Sequence, residues 1–122
     1  MTDRLHTSKL DREILSLATE DWYPIWDVVA ISRKMSPALD EPTHHEVARA
    51  ALTRMVEGEL IFLCLFKHIG NKEVRIPNEQ GHDILCDVSN WQRDASGWHV
   101  CFAATEKGEQ TYYALPPLEL RD

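Results

Sequence analysis

GWHVCFAATEKGEQTYYAL, residues 97–115, carries two apolar periodicities in one short stretch. Trp98, Val100 and Phe102 alternate with His99, Cys101 and Ala103, the twofold repeat of a strand. After Thr105-Glu106-Lys107-Gly108, apolar residues return at Tyr112, Tyr113 and Leu115 with helical spacing. A Thr side chain can accept a hydrogen bond from the first turn of a helix. The stretch therefore reads as a last strand running into a closing helix that Thr105 caps, with Tyr112, Tyr113 and Leu115 turned toward the body.

A last strand needs a partner. ELIFLCLFKH, residues 59–68, is too short and too apolar for a surface helix and reads as a buried strand. Pairing it with Trp98–Ala104 makes Cys64 and Cys101 neighbours across two strands. The intervening segment is too long for a plain turn, and IPNEQGHDILCDVSNW, residues 76–91, has a helical pattern within it. Asn78 offers a cap, Glu79, Asp83 and Asp87 form an acidic stripe, and Ile84, Leu85, Val88 and Trp91 lie opposite. The pattern predicts a short helix over 79–89, with Gly81 weakening its first turn.

Upstream, Ser8 and Asp11 frame a capping box, and Leu10, Ile14, Leu17 and Ala18 share one face of a helix over 9–20. Pro24 fits an extended piece over 22–24, and a second helix follows over 25–35, apolar around much of its circumference at Ile25, Val28, Val29, Ala30 and Ile31 and stopped by Ser36-Pro37. SPALDEP, residues 36–42, is a turn. A capping box at Thr43 and Glu46 then opens a third helix ending near Glu57-Gly58. Val47, Ala48, Ala51, Leu52 and Met55 gather on one flank, and Glu46, Arg49, Ala50, Thr53 and Glu57 on the other.

The 122 residues suit one domain, with 43% apolar and 27% charged residues. The longest apolar run, Leu60–Phe66, falls short of the roughly 20 residues of a membrane span. No apolar leader precedes a cleavage site, so a cytoplasmic location is expected. Cys64, Cys86 and Cys101 are widely spaced with apolar neighbours, which fits buried thiols better than disulfides or a metal motif. No four-ligand metal signature, nucleophile elbow or phosphate loop occurs, so neither cofactor nor catalysis is expected. The formal net charge is −7; DNA contact would therefore need a local basic patch.

Helix, short strand, helix, turn, helix, strand, strand is the element order of a winged helix-turn-helix domain. Two places carry the resemblance. THHEVARAALTRMVEGELI, residues 43–61, resembles a recognition helix leading into the first wing strand, and CFAATEKGEQTYYAL, residues 101–115, resembles the second wing strand and closing helix of MarR-like and PadR-like transcription regulators. Two departures stand out: Ala104 where the pattern favours Leu, and a helical insert in place of a short basic wing tip.

The resemblance implies a mainly helical α+β fold over 1–122: a three-helix core, a small antiparallel sheet of three strands or fewer, and a helical insertion over about 67–96 between the wing strands. It further implies transcriptional regulation through double-stranded DNA. The third helix would enter the major groove, with Thr43, His45, Arg49, Thr53 and Arg54 as its contacts and Lys67, Lys72 and Arg75 meeting phosphates from the wing. The insert suggests another use. Leu85, Val88 and Trp91 need cover, from the domain or from a second copy in a homodimer. The acidic stripe suits either a solvated face or a basic protein partner, which gives the alternative of an interaction module that does not bind DNA. The four tryptophans, Trp22, Trp26, Trp91 and Trp98, fit core anchoring better than an effector pocket or a stacking platform.

Overall fold

The computed structural model describes residues 2–67, 72–92 and 97–115, and the side chains of these save 2–8 and 72. Its elements are α1 (Thr2–Glu20), β1 (Tyr23–Pro24), α2 (Trp26–Met35), α3 (Glu41–Glu57), β2 (Ile61–Lys67), β3 (Lys72–Ile76), α4 (Gly81–Cys86), β4 (Trp98–Ala104) and α5 (Glu106–Ala114). Two 3₁₀ turns, Asn78–Gln80 and Val88–Trp91, flank α4. The fold is mainly helical α+β. None of the described helices is long and apolar enough to cross a membrane.

The sheet is antiparallel throughout, in the order β1-β4-β2-β3. β2 and β4 pair along their whole lengths, with Cys64 directly opposite Cys101, so two strands far apart in sequence form the centre of the sheet. Alternation then divides the side chains. Ile61, Leu63, Val100 and Phe102 face the helices and join Leu10, Ile14, Ile25, Val28, Leu52 and Met55 in the core. Phe62, Cys64, Phe66, His99, Cys101 and Ala103 point to the other side. The sheet has four strands rather than the three or fewer expected. The additional one is β3, whose Val74 and Ile76 continue the inner face while Glu73 and Arg75 continue the outer.

α3 begins three residues earlier than the Thr43 capping box implies. Asp40 is the cap, its Oδ1 accepting from the Thr43 N–H at 3.0 Å. Pro42 fits the first turn, where no intrahelical N–H is required. Hydrogen bonds from the Thr43 side chain and from its N–H hold the Asp40 carboxyl below its ordinary range. His44 is buried, and its Nδ1 meets the Ser32 hydroxyl of α2 at 2.8 Å. Ala30, expected on a buried face of α2, is exposed.

The TEKG sequence makes a staple between the α3-β2 turn and α5. The Thr105 N–H donates to the Leu60 carbonyl at 3.0 Å, its hydroxyl donates to Glu59 O at 2.6 Å, and that hydroxyl accepts from the Gly108 N–H at 2.9 Å. Lys107 Nζ adds a bond to Gly58 O at 3.0 Å. Gly108 is needed because α5 passes directly over the Leu60 carbonyl, where any Cβ would overlap it. Of the residues expected to face the body, Tyr112 packs on the core but Tyr113 is exposed.

The insert departs most from expectation. The single helix over 79–89 is instead a 3₁₀ turn, the short α4 and a second 3₁₀ turn. Asp87 breaks it: with extended backbone, its carboxylate caps the next turn through Ser89 N–H at 3.0 Å. Asn78 is no cap; its side-chain amide donates to the Val56 carbonyl of α3 at 3.5 Å.

Candidate binding groove

The insert lies along one flank of α3. Residues 45, 49, 52 and 56 recur every three or four positions and form a stripe. Gly81 sits against Val56 at the far end, so closely that a Cβ there would meet Val56 Cγ1 at 3.0 Å. At the near end the Trp91 ring stands edge-on to His45, with centroids 6.1 Å apart. Between these anchors Leu85 is buried. The Trp91 indole N–H donates to the Leu85 carbonyl at 2.8 Å, which holds the second turn beneath α4.

Where the insert leaves α3, a groove of about 310 Å³ opens, lined by His45, Arg49, Leu85, Cys86, Val88, Trp91 and Gln92. Leu85 and Trp91 form an apolar floor, and Val88 is the exposed lip, 69% accessible. Arg49 stands on the wall, ion-paired to Glu46 at 3.2 Å. On the rim, Cys86 Sγ lies 3.6 Å from His82 Nε2.

The groove unites residues that sequence reasoning assigned to different jobs. His45 and Arg49, candidate DNA contacts, share it with Leu85, Val88 and Trp91, the candidate partner contacts. Of those three, Leu85 and Trp91 are covered by the domain itself, so their apolar character requires no second copy; Val88 alone is exposed. Gln92 was not anticipated, because only the second 3₁₀ turn brings it round to α3.

The remaining DNA candidates are dispersed. Thr43 is half-buried in the first turn of α3, and Thr53 donates its hydroxyl to Arg49 O at 2.8 Å. Arg54 turns toward α1 and pairs with Asp11 at 3.0 Å; desolvation of Asp11 raises its carboxyl pKa, against the pull of Arg54. Lys67 Nζ lies 5.6 Å from the Trp98 ring centre, and the Arg75 guanidinium lies 4.1 Å from that of Phe62. Lys72 faces Lys67 across β2 and β3 by backbone register, its side chain lying outside the described residues. The stripe Glu79, Asp83 and Asp87 is exposed. Among the described residues no three His, Cys, Asp or Glu side chains converge on a metal-sized site.

Comparison with protein-family models, curated proteins and solved structures returns no significant match.

Proposed function

We propose that this chain is an interaction module of winged-helix type, which binds a short segment of a basic protein partner in the groove between α3 and the insert. One observation carries the reading: the insert occupies the His45-Arg49-Leu52-Val56 flank of α3. The face of α3 left open presents Glu46, Ala50, Thr53 and Glu57. Both arginines of the helix are already ion-paired. A helix that neutralises phosphates needs cations on its open face, whereas carboxylates there favour a cationic ligand. Asp87, between two groove-lining residues, extends the acidic surround. The groove would take an apolar side chain on Leu85, Val88 and Trp91, with flanking lysines or arginines reaching Glu46 and Asp87 beside it.

Duplex DNA binding for transcriptional regulation is the second reading, favoured by the basic outer edge where Lys67 faces Lys72 and Arg75 follows on β3. One substitution separates specific docking from loose charge attraction. Val88→Asp removes an apolar contact while making the chain more acidic. It weakens binding of a labelled lysine- and leucine-rich peptide about tenfold if the groove holds the leucine. Unchanged or tighter binding means that charge alone is at work and the groove is not the site.

A further inference from the structure

We infer that the free edge of β3 is an interaction surface whose occupant is the same strand of a second copy of this chain, paired antiparallel about Val74. Backbone parity identifies the open edge. The Thr105 N–H donates to the Leu60 carbonyl and the Ile25 N–H to the Val100 carbonyl, each at 3.0 Å. With the register of the sheet, these bonds fix the side to which every strand residue turns its N–H and carbonyl. On β1 the outward residue is Pro24, which has no N–H to offer, so that edge is closed. On β3, Lys72, Val74 and Ile76 bond to β2, while Glu73 and Arg75 turn their N–H and carbonyl groups away from the sheet. Among the described residues no hydrogen bond from another element reaches those groups, and Val74 between them is 54% exposed.

Charge selects both the occupant and the register. An added antiparallel strand must set its own outward residues against Glu73 and Arg75, so a second β3 can be centred on Glu73, on Val74 or on Arg75. Centring on Glu73 or on Arg75 places like charges directly opposite each other, which is destabilising. Centring on Val74 sets Glu73 of each copy against the partner's Arg75. Each such pair exchanges both backbone N–H···O=C bonds, and its side chains form an ion pair on the outer face of the sheet. On the helix-facing side the exposed Val74 meets the partner's Val74, with Cα atoms about 4.5 Å apart. KEVRI, residues 72–76, is thus complementary to itself under a twofold axis through Val74, as an isologous interface requires. The two sheets become one, continuous across β3 of both copies.

This edge shares no residue with the groove, so the inference stands apart from the proposed function. Sedimentation equilibrium of the full chain from about 1 to about 500 μM tests it by mass action. A weak monomer–dimer equilibrium is expected, since two short strands bury little area. Glu73→Arg makes both members of each cross-strand pair positive, and Arg75→Glu makes both negative. Each variant alone should therefore weaken the dimer about tenfold. A mixture of the two should associate at wild-type strength, because a doubly positive strand then lies against a doubly negative one. Both side chains are exposed, so the variants should fold, as far-ultraviolet circular dichroism will check. A monomer at every concentration overturns the inference. So does a dimer that neither exchange weakens, or one that both weaken and mixing does not restore.

Discussion

Replacing Gly108 with alanine tests the joint that closes the fold. By helix propensity alone the change should stabilise α5 by about 1 kcal/mol. The structure reverses the sign. An alanine Cβ would overlap the Leu60 carbonyl oxygen and lie 2.9 Å from Leu60 C and 3.3 Å from Leu60 Cα. All three are backbone atoms, so no rotamer change relieves the contact and α5 must move away. That movement breaks the two Thr105 bonds to the Glu59 and Leu60 carbonyls and the Lys107 bond to Gly58. At about 1 kcal/mol each, with further loss where Tyr112 packs on the core, the net destabilisation is roughly 2–4 kcal/mol after the propensity gain. Urea unfolding followed by tryptophan fluorescence measures it, with the exposed Gln110→Ala as a control expected within about 0.5 kcal/mol of wild type. If Gly108→Ala is as stable as wild type, α5 does not rest on the Leu60 carbonyl.

Trp91→Ala should cost about 3–5 kcal/mol, since it uncovers Leu85 and leaves the Leu85 carbonyl without its indole donor, whereas Val88→Asp should leave the unfolding midpoint nearly unchanged. Asp40→Ala should lower the melting temperature by removing the α3 cap. Because the native carboxyl titrates below its ordinary range, the wild-type contribution is present above that range and is lost as pH falls through the native value; the two melting temperatures should therefore converge in acid. Desolvation pushes the Cys64 thiol up to about 11 and the Cys101 thiol up to about 12. A disulfide reagent near neutral pH should thus modify exposed Cys86 quickly and the other two only on unfolding. With native values raised, stability is full below the unfolded thiol pKa and is lost as pH rises from about 9 toward the native values, a slope that Cys64→Ala should reduce.

The central strands were legible because one face of each is buried, and a register slip would turn Phe102 and Leu63 outward. Thr105 and Gly108 were legible as a helix start, although the reason for the glycine, contact with a carbonyl far back in the chain, was not. β3 has little sequence signal because an edge strand buries little: Glu73, Val74 and Arg75 are exposed, and among its described side chains only Ile76 is buried. The insert has the pattern of one helix because Asp87 fits an acidic stripe as well as it fits a cap. Asp40 and Thr43 both suit a helix start, and Pro42 tipped the choice to the earlier residue. The groove could not be read at all, since nothing local in His45, Arg49 or Trp91 announces that a 3₁₀ turn folds back onto α3.

The most direct measurement is fluorescence anisotropy of two probes with the same protein preparation at low salt: a labelled duplex of about 24 bp and the lysine- and leucine-rich peptide. The proposed function predicts that the peptide binds, that Val88→Asp weakens it, and that the duplex stays unbound at concentrations where nonspecific DNA binders saturate, roughly 10–100 μM. Salt-sensitive duplex binding that Arg49→Ala and Arg54→Ala abolish, with no binding of the peptide, would contradict it.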